Sequence, residues 1–168
     1  GTQTGGSVIR PASFCGVVGL KPSFGAIPRT GILQQSPTLD TVGVFARSVE
    51  DAALLAEGLC GYDPADEATR PVPPPAMLSV AMTDAPVRPT FASVRLPGWE
   101  QADPQMTDAI AELAEVLGDR CFDAALPDAF ADVAGMRETI NLAEMAKCYY
   151  GLERRGREAL SHILRDAI

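Results

Sequence analysis

A serine surrounded by small residues lies close to the start of the chain. Residues 1–7 have the sequence GTQTGGS, in which Gly5 and Gly6 allow the backbone to turn sharply and to approach a ligand closely. Successive N–H groups in such a loop can point at one position and bind an anion. Ser7 is therefore a candidate nucleophile, because these N–H groups would hold the oxyanion formed when it attacks a carbonyl. An ordinary surface loop is the alternative, and the segment is neither a P-loop nor a dinucleotide-binding G-x-G-x-x-G motif.

Few side chains in the sequence could serve as a base for this serine. The single histidine, His162, falls in a helical pattern near the end of the sequence, where a solvated or capping role is the simpler interpretation. The two lysines are Lys21 and Lys147. Since a Ser-His-Asp mechanism needs an imidazole beside the serine, we expect any hydrolytic mechanism here to work without histidine.

Composition excludes several classes of protein. The 168 residues are 46% apolar, which predicts a packed core rather than a disordered chain. The net charge of −8 argues against direct nucleic-acid binding, and no apolar run reaches the ~20 residues of a membrane span. The cysteines are widely spaced, which predicts free, mostly buried thiols in a reducing cytoplasm and no structural zinc site. They are Cys15, Cys60, Cys121 and Cys148.

The serine loop opens a segment rich in Gly, Pro, Ser and Thr. Within residues 1–47 we predict short buried strands at 17–20 and 42–45. Ser48 is a typical N-cap for a helix with a broad apolar stripe, and Gly61 is a plausible stop for that helix. The proline-rich residues 62–75 then form either a linker or a surface excursion within one domain.

The second half of the sequence alternates between strand and helix patterns. We predict strands at 76–83, 91–96 and 121–126, and a helix that begins at Asp103-Pro104 and ends at Gly118. From about Asp128 the pattern is helical almost to the end, with a break at Gly151 or Gly156. The strand, helix, strand order of residues 91–126 indicates an α/β layer arrangement.

A longer motif extends the serine loop. Residues 1–23 read GTQTGGSVIRPASFCGVVGLKPS, which resembles the defining motif of the amidase signature family, G-[ST]-D-T-G-G-S-[IV]-R-x-P-A-x-x-[CN]-G-[VI]-x-G-[LFY]-K-P-[ST]. The resemblance continues through the segments LDTVG, ARSVEDA and GYDP, so it is strong over residues 1–70. It implies an α/β fold with a mixed β-sheet covered by helices.

The resemblance also implies a Ser–cis-Ser–Lys amidase. Ser7 matches the family nucleophile, which forms an acyl-enzyme with a carboxamide and releases an amine or ammonia. The oxyanion hole would be the backbone N–H groups of residues 4–7, namely Thr4, Gly5, Gly6 and Ser7. No cofactor or metal takes part. The expected partner is a small amide substrate in the cytoplasm, and we expect no direct binding to nucleic acid or membrane. Assembly of the protein into a homodimer is left as a possibility.

Two positions depart from the family pattern. Gln3 stands where the family has Asp, and Arg10 lies one residue later than the family arginine, with Ile9 in its usual place. We interpret Gln3 and Arg10 as residues that brace the loop, substrate binding by Arg10 being the alternative. If a family Asp–Arg pair has been lost as a unit, Gln3→Asp alone should lower stability, because it would leave an unpaired charge. Asp40, in a second matching segment, is expected to accept hydrogen bonds from the backbone.

The relay serine and the lysine of the family lie upstream of the nucleophile, and neither can be matched in this sequence. Lys21 matches the Lys-Pro of the motif and is expected to be structural. We therefore expect residues 1–168 to be part of a single amidase signature domain, with the motif region at 1–70, a strand and helix region at 71–168, and the upstream part missing. Two alternatives remain: the A subunit of a glutamine-dependent tRNA amidotransferase, and a catalytically inactive fragment.

Overall fold

The computed structural model describes residues 1–168, which form short strands and six α-helices. The strands are β1 Thr2–Gln3, β2 Val18–Leu20, β3 Thr41–Val42, β4 Val44–Ala46, β5 Phe91–Val94 and β6 Cys121–Ala124. The α-helices are α1 Ile9–Cys15, α2 Val49–Leu59, α3 Met77–Ala81, α4 Pro104–Leu117, α5 Val133–Gly156 and α6 His162–Ala167. None of the helices combines the length and apolar character that a membrane crossing needs.

The chain divides into two compact units. The first comprises residues 1–84 and 137–168, and the second comprises residues 85–136. The first holds two antiparallel strand pairs, β1 with β3 and β2 with β4, while the second holds the parallel pair β5 and β6. The mixed helix and strand content agrees with the predicted α/β class.

The core of the first unit lies where α2 packs against β2 and β4. Val44, Ala52 and Ala56 are almost fully buried there, and Val18 and Leu20 pack around them. Small residues allow this close approach between helix and strands. As predicted, Ser48 caps α2, since its hydroxyl accepts a hydrogen bond from the Asp51 N–H at 3.1 Å.

Helix α1 is held against β2 by a pair of small residues. A Cβ atom added to Gly19 would lie 2.6 Å from the Cβ of Ala12, so only glycine permits this packing. The side chain of Val8, just before α1, is fully buried. These contacts anchor α1 and therefore the turn that carries Ser7.

The second unit is a strand, helix, strand unit. β5 pairs in parallel with β6 from Phe91 opposite Cys121 to Val94 opposite Ala124, and α4 connects the two strands. Asp103 accepts a hydrogen bond from the Gln105 N–H at 2.8 Å, and Pro104 occupies the first turn. This confirms the predicted strands near 91–96 and 121–126 and the helix between them.

Three predictions on the elements need correction. Residues 77–81, within the predicted strand 76–83, form helix α3 instead, because a short apolar run has no decisive period and the Leu78 N–H finds an acceptor in the Glu57 carboxylate at 2.9 Å. The predicted strand at 42–45 is divided at Gly43 into β3 and β4. α2 ends at Leu59, two residues before Gly61. By contrast, α5 passes through Gly151 and ends at Gly156, one of the two breaks that were expected.

Candidate functional site

Ser7 lies in the turn between β1 and α1 and its side chain is exposed to solvent. The turn is fixed by the side chain of Gln3, whose Oε1 accepts hydrogen bonds from the N–H groups of Val8 at 2.9 Å and Ile9 at 3.0 Å. Gln3 itself is held in β1, where it pairs with Thr41. The side-chain oxygen of Gln3 therefore ties β1, which precedes Ser7, to the start of α1, which follows it.

The backbone N–H groups around Ser7 are available to a ligand. Those of Thr4, Gly5, Gly6 and Ser7 donate no hydrogen bond within the chain, whereas the carbonyl of Gly6 accepts one from the Arg10 N–H at 2.9 Å. Backbone donors in a folded protein are nearly always satisfied, so a run without internal acceptors marks a place where water or a ligand bonds. The arrangement can accept an anion beside the serine hydroxyl.

Asp40 joins this turn to a second loop, residues 34–40. Its Oδ1 accepts a hydrogen bond from the Thr4 hydroxyl at 2.5 Å, and its Oδ2 accepts bonds from the N–H groups of Gln35 at 2.8 Å and Ser36 at 2.9 Å. The carboxylate is buried, with a relative exposure of 8%. The expectation that Asp40 bonds to backbone is confirmed, and its contact with Thr4 adds a direct link to the serine turn.

Helix α5 holds the same loop from the other side through Glu144. Its carboxylate accepts hydrogen bonds from the Ser36 hydroxyl at 2.5 Å, the Thr38 hydroxyl at 2.8 Å and the Thr38 N–H at 3.1 Å. Burial raises the pKa of Glu144, but the hydrogen bonds outweigh it and the net shift is downward. Glu144 is therefore tied to the loop rather than simply solvated. No local signal could reveal a partner more than a hundred residues away in sequence.

Arg29 supports the loop from within the first unit. Its guanidinium donates to both carboxylate oxygens of Asp66, at 2.9 and 3.1 Å, and to the carbonyls of Pro37 at 2.6 Å and Asp40 at 3.2 Å. It also lies over the ring of Phe24, 4.8 Å from the centroid. The hydrogen bond from Arg29 lowers the pKa of Asp66 far below its usual value, and the same bond raises the pKa of Arg29. The sequence contained no signal for this pair.

A cavity of about 230 Å³ adjoins the Thr4–Asp40 hydrogen bond. Tyr149 of α5 contributes to its lining together with Thr2 and Arg29. Burial raises the pKa of Tyr149, and the negative charge of Asp40 raises it further. Tyr149 therefore remains a neutral hydroxyl at physiological pH.

The two residues predicted to brace the loop behave differently. Gln3 makes the contacts described above, whereas Arg10 is exposed and forms none of the ion pairs of the chain. The structure places a different arginine, Arg137 of α5, against Gly5: an added Cβ on Gly5 would lie 3.0 Å from its Nη1. Gln3 therefore acts through backbone N–H groups, and nothing in its contacts depends on the charge of Arg10.

The remaining predicted residues lie elsewhere. Lys21 donates from Nζ to the carbonyl of Pro22 at 2.7 Å, Lys147 is exposed on α5, and His162 begins α6. The cysteines are free, but they are not mostly buried, because Cys15 is exposed and the other three are half-buried. No group of three or more His, Cys, Asp or Glu side chains is placed to hold a metal ion.

Comparison with known proteins places this geometry in a family context. The model of the Amidase family matches residues 1–135. The A subunit of glutamyl-tRNA(Gln) amidotransferase from Gloeobacter violaceus is 35% identical over 175 residues, which cover 95% of this chain and 34% of that protein. Its counterpart in a Cyanothece species is 37% identical over 160 residues, with 90% of this chain and 33% of that protein covered. The chain spans about a third of the length of these curated relatives.

Solved structures give the same result for the fold. The chain superposes with a TM-score of 0.84 and 27% identity on an inhibitor-bound structure of a vestigial protein complex, related to the evolutionary origins of an s-triazine catabolic enzyme. That match covers 99% of this chain and 36% of the other. For 6-aminohexanoate cyclic dimer hydrolase complexed with substrate, the TM-score is 0.75 at 25% identity, covering 99% of this chain and 38% of the hydrolase.

Proposed function

Because this chain belongs to the amidase family, we propose that it carries the nucleophile of a cytoplasmic enzyme that hydrolyses a carboxamide C–N bond. Ser7 Oγ attacks the carbonyl carbon, its proton passes to a base, and the carbonyl oxygen becomes an oxyanion. The C–N bond then breaks, and the amine or ammonia leaves with a proton from the protonated base. Water attacks the resulting ester, releases the carboxylic acid and restores the serine hydroxyl.

The observation that carries this proposal is the set of unpaired backbone donors at residues 4–7, next to an exposed serine. Fixed N–H groups stabilise a developing negative charge without having to reorganise during the reaction, and losing one such donor typically costs on the order of 10²–10³ in rate. The hydrogen bonds of Gln3 and of Thr4 hold both ends of this turn. Thr4, Gly5, Gly6 and Ser7 are thus our proposed oxyanion hole.

The base in this proposal comes from outside the 168 residues. Lys21 Nζ is bonded to the Pro22 carbonyl, and His162 lies in α6, which is not part of the serine turn. The family resemblance implies a relay serine in a cis peptide and a lysine, which would take the proton from Ser7. A mechanism of this kind needs no histidine, cofactor or metal, and its substrate is a small amide.

A second candidate function rests on the relatives. The curated proteins that match over most of this chain are named as the A subunit of glutamyl-tRNA(Gln) amidotransferase. In this alternative the same Ser7 chemistry would serve an amidotransferase complex rather than a free-standing hydrolase. Dependence of amide hydrolysis on partner proteins favours the amidotransferase, whereas turnover of simple amides by the protein alone favours the amidase.

The proposal is tested by acyl-enzyme trapping in the protein that carries this chain. The protein is incubated with a small aliphatic amide, quenched with acid and digested, and the peptide containing Ser7 is examined by mass spectrometry for the added acyl group. Released ammonia is measured in parallel. Ser7→Ala is expected to abolish both signals, and Ser13→Ala, which changes an exposed serine of α1, serves as the matched control.

The 168-residue polypeptide by itself gives a separate answer. We propose that it is inactive alone, because the relay serine and the lysine are not matched in its sequence. Ammonia release that depends on Ser7 in this polypeptide would show that a base within residues 1–168 suffices. Acylation of a residue other than Ser7 in the larger protein would contradict the proposed nucleophile.

A further inference from the structure

Arg137 of helix α5 lies directly against the proposed oxyanion loop. An ideal Cβ atom built on Gly5 would be 3.0 Å from Nη1, 3.5 Å from Cζ and 3.8 Å from Nε of this arginine. The guanidinium therefore occupies the space that a side chain at position 5 would take. Glycine at this position permits the close approach, and the sequence pattern around Ser7 contains no indication of this partner, which lies 132 residues later.

The guanidinium keeps hydrogen-bond donors free on the side of the loop. Nη2 donates to Glu138 at 2.6 Å, while Nη1 and Nε make none of the hydrogen bonds or ion pairs of the chain. The side chain is 40% exposed, so these donors are accessible. Together with the unpaired N–H groups of residues 4–7, they form a surface with several unpaired donors.

Such a surface is unusual in a chain whose net charge is −8. An anionic substrate would be repelled by the protein as a whole, and a local cation would have to offset that repulsion. A guanidinium is well suited to bind a carboxylate, because charge-assisted hydrogen bonds between them are short and strong. We infer that Arg137 binds a carboxylate of the amide substrate while Ser7 attacks its carboxamide.

This inference rests on the proposed function and names the substrate class: a short carboxylic acid that also carries a carboxamide. Gly5 is two residues from Ser7, and two residues span at most about 7 Å. The carboxylate and the scissile carbonyl should therefore be separated by only a few carbon atoms. Succinamate meets this requirement, and butyramide is its neutral counterpart with a methyl group in place of the carboxylate.

The test compares the two amides in the protein that carries this chain. Arg137→Gln is expected to lower kcat/KM for succinamate by roughly 10- to 100-fold, mainly through KM, because a hydrogen bond to a charged group contributes about 1.5–3 kcal/mol. Turnover of butyramide should change by less than about threefold, because butyramide has no carboxylate for Arg137 to bind. A larger loss of butyramide turnover would mean that the substitution disturbs the loop itself. Arg137→Lys should recover part of the preference. Arg155→Gln removes the same charge from an exposed position of the same helix and should leave kcat/KM for both amides unchanged.

A binding measurement separates this inference from the proposed function. Calorimetric titration of succinamate into Ser7→Ala requires no chemistry, and adding Arg137→Gln should weaken the Kd by a similar factor. An unchanged Kd, or an equal loss of kcat/KM for both amides, overturns the inference, because Arg137 would then only support the loop. If Ser7→Ala retained full turnover while Arg137→Gln still weakened succinamate binding, the nucleophile would be wrong and the carboxylate site would stand.

Discussion

The hydroxyl of Thr4 donates a 2.5 Å hydrogen bond to Oδ1 of Asp40, and this contact joins the turn that carries Ser7 to the loop at 34–40. The other oxygen of the same carboxylate accepts two backbone N–H groups of that loop. A single buried side chain thus ties the two segments together just beyond the point where the pairing of Gln3 with Thr41 ends. The candidate oxyanion hole depends on this link, because Thr4 supplies the first of its proposed donors.

Replacing Asp40 with asparagine should weaken both stability and activity. An amide offers one acceptor oxygen where three donors now converge, and its NH₂ group would face a donor. We expect Asp40→Asn to lower the free energy of unfolding by about 1–3 kcal/mol, the usual cost of an unsatisfied buried polar group. Urea denaturation monitored by circular dichroism measures this change.

The control for this prediction is at Thr4. Thr4→Ser keeps the hydroxyl and should retain most of the stability, whereas Thr4→Val removes the donor at nearly constant volume and should lose part of it. If Thr4→Val were as stable as the unchanged protein, the 2.5 Å contact would contribute nothing to the link between the loops.

The contacts of Gln3 lead to a prediction that differs from the one made from sequence. Gln3→Ala removes the acceptor of the Val8 and Ile9 N–H groups and should cost about 1 kcal/mol, as the loss of a helix N-cap does. Arg10→Ala should stay within about 0.5 kcal/mol, because exposed residues without partners contribute little. Thermal melts of both variants measure the difference. A larger loss for Arg10→Ala than for Gln3→Ala would restore the interpretation that Arg10 braces the loop.

The elements near Ser7 could largely be predicted from sequence, because their signals are local. Ser48, Asp103 and Gly118 mark helix ends through the backbone groups nearest to them, and the structure shows these ends where they were expected, at the start of α2 and at both ends of α4. The strand prediction for residues 76–83 was wrong because a short apolar run has no decisive period, and tertiary contacts selected a helix. The GTQTGGS motif identified the serine turn in the same local way.

The partners of that turn could not be predicted, because they come from distant parts of the sequence. Glu144 and Arg137 both lie on α5, whose residue pattern indicates only a helix. Their approach to Ser36 and Gly5 follows from how α5 packs within the first unit. Arg29 and Asp66 pair across 37 positions in the same way.

Glu144 should prove to be energetically coupled to Ser36. Glu144→Gln keeps the shape of the side chain but removes the charge that strengthens its hydrogen bonds from Ser36 and Thr38. A double-mutant cycle with Ser36→Ala should give a coupling energy of about 0.5–3 kcal/mol, the range for residues in direct contact. Denaturant unfolding of the two single variants and the double variant provides the measurement. Additive effects would mean that α5 does not hold the loop through this carboxylate.

The cysteines should differ in their rate of modification by a thiol reagent. Cys15 is exposed, whereas burial raises the pKa of the half-buried Cys60 and Cys148 and lowers their thiolate fraction at neutral pH. We expect Cys15 to react first in the native protein. Cys15→Ser should remove the fast phase seen with 5,5′-dithiobis(2-nitrobenzoate) and leave the slow phases in place. A fast phase that persists in this variant would assign the reactive thiol elsewhere.

The buried pair of Arg29 and Asp66 should make stability depend on pH at the acidic end. Its hydrogen bond lowers the pKa of Asp66 far below the usual value of 3.8, so the stabilisation is complete above that value and is lost as the pH falls below it. At neutral pH, Asp66→Asn should cost about 3–5 kcal/mol, because it leaves the charge of Arg29 buried without a partner. The free energies of unfolding of the two proteins should therefore converge as the pH is lowered from 5 towards about 2. Glu67→Gln, at the exposed neighbouring position, is the control and should not alter the pH dependence. If the free energies of unfolding of the Asp66→Asn protein and the unchanged protein differed by a constant amount across this range, the charge of Asp66 would not be what stabilises the loop.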